Sequence, residues 1–158
     1  MPNARPNLFR AWWPAIVWIG LITFESTDYL SAQNTSSILY DLLTRIFGQI
    51  NYYDFEYWHH YLRKTGHVVG YAMLGLLLLR GLWMTFGNRA DRMRLLPVFA
   101  WIGTALVAAM DEWHQSYIPS RTGTPWDILL DSVAGLAALM LAYVALRKRA
   151  LLSINKET

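Results

Sequence analysis

The stretch Thr65–Phe86, TGHVVGYAMLGLLLLRGLWMTF, decides the fold: its only ionisable side chains are His67 and Tyr71 near the start and Arg80 near the end. At ~1.5 Å per residue such a helix is about as long as the ~30 Å hydrocarbon core of a bilayer. Leu8–Phe24, Leu95–Ile118 and Trp126–Leu146 are three further apolar stretches of spanning length. The pattern predicts an all-α integral membrane bundle of four transmembrane helices, over spans 8–24, 65–86, 95–118 and 126–146, in one domain covering 1–158.

The composition of the 158 residues agrees: 54% are hydrophobic, 15% aromatic and only 16% charged. Soluble domains carry about 25% charged residues, so a cytosolic enzyme is disfavoured and a disordered chain nearly excluded. There is no cysteine, which removes disulfide scaffolds, thiolate metal sites and cysteine nucleophiles together. The net charge of +3 sits beside apolar runs, so the implied partner is a lipid bilayer and not nucleic acid.

Leu8–Phe24 is bulky and Trp-rich, which favours a permanent first span over a cleavable leader. Arg5, Arg10, Arg80, Arg89, Arg92, Arg94, Arg147, Lys148, Arg149 and Lys156 fall on one side of the four spans, ten of the fourteen Lys and Arg residues. Arg45, Arg63, Lys64 and Arg121 fall on the other. Positive charge stays inside, so both termini are expected in the cytoplasm.

The first outer loop is expected to hold a short interfacial helix, within a segment of about 36–62. Ile38, Leu39, Leu42, Leu43, Ile46 and Phe47 fall on one helical face, and Asp41, Thr44 and Arg45 on the other. Tyr52, Tyr53, Phe55, Tyr57, Trp58 and Tyr61 follow with His59 and His60, rings suited to the headgroup level. Trp12, Trp13, Trp18 and Trp126 are expected to act as similar anchors.

Polar residues enter the spans at three places. Lys64, His67 and Tyr71 share one helical face, with Gly66 and Gly70 beside them as points of close helix contact. Asp111, Glu112, His114 and Gln115 end the third span; Arg121 follows in the loop, and Asp127 and Asp131 open the fourth. The topology brings all of them to the outer side. Asp111 lies ~10 Å below Ile118 along a helix, and a charge deep in a bilayer costs at least ~2.5 kcal/mol. The carboxylates must therefore face one another, a cation or a wet recess.

Arg63-Lys64-Thr65-Gly66-His67, Tyr71 and Gly75, together with Asp111-Glu112-Trp113-His114-Gln115, Pro119, Arg121, Asp127, Asp131 and Gly135, resemble the motifs of the VanZ-like membrane proteins, a family named after the teicoplanin-resistance protein. The resemblance runs from Arg63 to about Leu146. It implies a bacterial cytoplasmic (inner) membrane protein, a link to the cell envelope and to glycopeptide susceptibility, and no settled reaction.

Simpler roles compete for several of these residues. Thr124, Pro125 and Asp127 have the order of a helix start, whereas Asp131 lies a turn too deep to cap. Asp111 and His114 have the carboxylate-x-x-His spacing of metal-binding bundle helices, and Asp131 adds an oxygen. Ion pairing with Lys64 and Arg121 explains the same residues without a cofactor.

Three functions follow. In the first, Arg63, Lys64, His67, Tyr71, Asp111, Gln115, Arg121 and Asp127 line an outward site for an anionic envelope component, because guanidinium and ammonium groups suit phosphate and carboxylate. In the second, an intramembrane hydrolase or transferase acts on a lipid-linked phosphate. Glu112 or Asp131 would serve as base and His114 or His67 as proton carrier. The third is a small proton-coupled transporter, which the unbroken apolar inner halves of the spans disfavour.

Overall fold

The computed structural model describes residues 7–86, 95–121 and 123–157, with side chains through Leu146. Arg5, Arg89, Arg92 and Arg94, and the side chains of Arg147, Lys148, Arg149 and Lys156, on which much of the charge count rests, lie outside the described residues. Among the described residues the elements are five helices: α1 (Leu8–Glu25), α2 (Ala32–Phe47), α3 (Tyr52–Phe86), α4 (Leu96–Gln115) and α5 (Pro125–Glu157), with a 3-10 turn at Asp28–Leu30. Among the described residues there is no strand, so the all-α expectation holds.

Three helices begin or end for a local reason. Asn7 accepts the Arg10 amide and starts α1, Ser31 accepts the Asn34 amide and starts α2, and Gly48 ends α2. Pro97 sits in the first turn of α4, where its missing N–H goes unnoticed. Pro14, by contrast, lies inside α1 and leaves the Arg10 carbonyl without its helical donor. Arg80 supplies one: its guanidinium donates to the carbonyls of Arg10, at 3.2 Å, and Ala11, at 2.9 Å. The single cation in the apolar run of α3 is thereby tied to the neighbouring helix.

α3, α4 and α5 pack on one another, and α1 packs mainly on α3. The three cross closely at one level. A Cβ at Gly75 would stand 3.3 Å from the Gly135 carbonyl, and one at Gly135 would stand 2.7 Å from Thr104 Cγ2. Small residues permit this approach. Gly66 and Gly70, expected to mark close contacts, face open space, although the Gly70 carbonyl accepts the Trp18 indole at 2.8 Å. Trp12 lies against Gly81 and donates to Thr85. Trp12 and Trp18 are therefore helix-to-helix contacts, while Trp13 and Trp126 face outward as expected.

The aromatic segment departs from the expected interfacial stretch at 36–62. Tyr52–Thr65 contains no Gly or Pro, so the helix runs through it and α3 reaches 35 residues. That is ~52 Å of helix, well beyond a hydrocarbon core. Only α2 forms a separate helix, joined to α3 where Tyr40 meets Tyr52 and Phe55 edge-on.

The exterior is apolar, and polar groups share the interior with apolar ones such as Ile22, Leu74 and Ala108. Phe9, Ile16, Phe99, Leu106, Met110 and Met140 are exposed, while Ser26, Thr104, Asp111, Glu112, Gln115 and Asp131 are buried. An apolar exterior of this extent matches a membrane surface. α3 and the Pro125–Leu146 part of α5 are long and apolar enough to cross a membrane. Arg10 and Glu25 lower the hydropathy of α1 toward its two ends, and Asp111 and Glu112 that of α4 near its end.

Candidate functional site

The polar residues of α3 meet those of α5 in step. Lys64 pairs with Asp127, His67 Nδ1 lies 3.3 Å from Asp131 Oδ2, and one turn deeper the Tyr71 hydroxyl donates to Asp111 of α4 at 3.0 Å. Spacings of three and four on α3 and four on α5 place these side chains on facing stripes. The His67 ring also stacks against Tyr71, with centroids 6.3 Å apart.

Asp111 is satisfied within the bundle. Besides Tyr71 it accepts the Gln115 amide at 3.0 Å and the Ser26 hydroxyl, and Gln115 also donates to Ser26 at 2.7 Å. Ser26 escaped the sequence reading because its partners are 85 and 89 residues away. Below this knot Leu74, Thr104 and Ala108 are fully buried and close the bundle.

Glu112 faces the α4–α5 loop, where its Oε2 accepts the Thr124 amide at 2.8 Å. Gly123 makes that reach possible, since a Cβ there would overlap the Glu112 carbonyl. Thr124 Oγ1 in turn accepts the Asp127 amide at 3.2 Å, so Asp127 both helps start α5 and pairs with Lys64.

A cavity of about 200 Å³ opens above these groups. Arg63, Lys64 and Arg121 stand at its wall with His59 and His60, and His67, Glu112 and Gln115 reach it from within the bundle. Two of the cations are held by backbone carbonyls: Arg63 donates to Leu30 at 2.8 Å, and Arg121 to Glu25 and to Thr27 at 2.9 Å. Arg121 thus serves the carbonyl end of α1, where a positive charge is favoured. Burial, then the nearby Arg63 charge, lower its pKa from the usual guanidinium value, yet such a group remains a cation at neutral pH.

Most of the expected residues therefore converge, with one clear exception. His114 is exposed on the far side of α4, away from the cluster, so neither a proton-carrying role nor the Asp111-x-x-His114 metal pair fits this geometry. The three groups that come together are His67, Glu112 and Asp131, whose ligand atoms lie within 4.8 Å of one another. His59, expected only to pack at the interface, is buried, sits 3.3 Å from the Thr35 hydroxyl and lines the cavity as well.

Compared with known proteins, residues 11–147 match the model of the VanZ/LLP1 family, a range that contains every residue of the cluster. No curated protein and no solved structure matches the chain.

Proposed function

The chain belongs to the VanZ/LLP1 family, and on that premise we propose that it is a multi-pass protein of the bacterial cytoplasmic membrane whose polar recess binds an anionic cell-envelope component. α1, α3 from about Thr65, α4 and the first part of α5 are the four spans, both termini are cytoplasmic, and the recess opens outward. Through the bound component the protein influences the cell wall and glycopeptide susceptibility.

One observation carries this reading: three cationic side chains, Arg63, Lys64 and Arg121, gather at one cavity beside buried carboxylates. Arg63 and Arg121 are fixed by backbone carbonyls and not by acidic partners, so their charge is available to an anion. Guanidinium groups held in this way favour phosphate or carboxylate through charge-assisted hydrogen bonds. Asp127 holds Lys64 at the rim. The exposed Ile38, Leu42 and Ile46 of α2 form an apolar stripe that suits a helix lying in the interface beside the cavity mouth.

Native mass spectrometry of the full chain in detergent tests the proposal. The wild type is expected to retain a phosphate-bearing lipid, and Lys64→Gln combined with Arg63→Gln to lose it. Equal retention, or none in either sample, contradicts the reading. A second reading, an intramembrane hydrolase or transferase, is favoured by the contact of His67 with Asp131. An imidazole oriented by a carboxylate, with Glu112 nearby, has the components of a proton-transfer arrangement.

A further inference from the structure

We propose that His67, Glu112 and Asp131 form a binding site for one divalent transition-metal ion at the floor of the cavity. The three residues come from α3, α4 and α5, so the site exists only when the bundle is assembled. Their ligand atoms lie within 4.8 Å of one another. Donors bound at ~2.1 Å to one ion stand roughly 3–4 Å apart, so a small inward movement of side chains completes the set.

A second observation points to the same place independently. Asp131 is fully buried, and its Oδ1 has no hydrogen-bond partner among the described residues. A carboxylate oxygen left so in a low-dielectric interior is strongly unfavourable. The nearby cations do not relieve it: Lys64 is paired with Asp127, while Arg63 and Arg121 are turned toward backbone carbonyls. Asp111 is held by Tyr71, Gln115 and Ser26, so it needs no further partner. Two carboxylates, Glu112 and Asp131, are left facing one imidazole, and a dication balances their charge.

The surroundings support ligation. The Thr124 amide occupies Glu112 Oε2 and leaves the other oxygen for an ion, the kind of outer contact that orients metal-binding carboxylates. Stacking on Tyr71 fixes the His67 ring. His67 and Glu112 line the cavity whereas Asp131 lies behind it, so positions left open on the ion face the cavity and its cationic wall. Three protein ligands with an open position is the pattern of catalytic metal sites, not of closed structural ones. One nitrogen and two oxygen donors suit Zn²⁺ or Mn²⁺ better than soft, thiolate-seeking ions.

The proposal goes beyond anion binding, because ion content is read whether or not a lipid is retained, and either idea can fail alone. The test uses the full chain purified in detergent, stripped with a chelator, incubated separately with Zn²⁺ and Mn²⁺, and passed through gel filtration before elemental analysis. The wild type is expected to carry about one ion per chain. Asp131→Asn and Glu112→Gln should each weaken binding at least ~10-fold, and His114→Ala should leave it unchanged. X-ray absorption on the zinc-loaded wild type should show one imidazole among oxygen donors, and this measurement holds even if a variant fails to fold. A wild type without stoichiometric Zn²⁺ or Mn²⁺, a folded Asp131→Asn protein that binds as tightly as wild type, or a shell of two or more imidazoles would overturn the site.

Discussion

Replacing Gly135 with alanine tests the helix crossing on which the site rests. The new Cβ would lie 2.7 Å from Thr104 Cγ2, about 1 Å inside ordinary carbon–carbon contact. Overpacking of this kind costs about 1–3 kcal/mol, and the helical preference of alanine over glycine returns about 0.5–1 kcal/mol. The net expectation is a loss of about 1 kcal/mol. Thr104→Ser removes the obstructing methyl and keeps the hydroxyl that donates to the Ala100 carbonyl at 2.9 Å; alone it should lose a further ~1 kcal/mol for the vacated methyl. In the double variant the alanine Cβ fills that space, so stability should return to within about 0.5 kcal/mol of wild type instead of falling by the additive ~2 kcal/mol. Tryptophan fluorescence during thermal unfolding in detergent reads the difference, at roughly 3 °C per kcal/mol for a chain of this size. Additive losses in the double variant would refute the contact between α4 and α5 at this level.

Two further outcomes are expected. Arg80→Met should destabilise the wild type by about 1–3 kcal/mol, because it leaves the carbonyl freed by Pro14 unpaired, and should cost less in a Pro14→Ala background; the same unfolding assay decides, and equal losses would refute the pairing. A reporter fused after Thr158 should be active only in its cytoplasmic form, and a signal from the outer side would reverse the proposed topology.

The apolar runs were legible because composition alone marks them, and helical spacing correctly placed Lys64, His67 and Tyr71 on one stripe. The extension of α3 back to Tyr52 is also legible, since no Gly or Pro interrupts Tyr52–Thr65, but the run of aromatic rings there has the composition of an interfacial stretch. Other features were not legible. Trp12 and Trp18 have the composition of interfacial anchors, and only the neighbouring helix shows that they hold α3. At the end of α4, spacing alone offers an arc of polar residues without saying which side the bundle chooses. Packing buries Asp111, Glu112 and Gln115 and leaves His114 outside, so a local carboxylate-x-x-His pattern points to a histidine that the bundle leaves out of the cluster. The histidine that meets Asp131 is 64 residues distant from it, beyond the reach of any local motif.

The glycine contact and the polar cluster belong to one seam. Lys64 meets Asp127, His67 meets Asp131 and Gly75 meets Gly135, a nearly constant offset that only parallel neighbouring helices produce. α4 provides the return crossing that makes α3 and α5 parallel, and it also contributes Asp111, Glu112 and Thr104 to the same seam. Gly75 lies ~12 Å along α3 from His67, and rigid helices carry a displacement over that distance with little loss. The approach allowed by the glycines is therefore expected to influence the gap between His67 and Asp131. Enlarging Gly135, a residue with no polar side-chain atom, should disturb the buried carboxylate Asp131 one turn away on α5 as well as the packing around it.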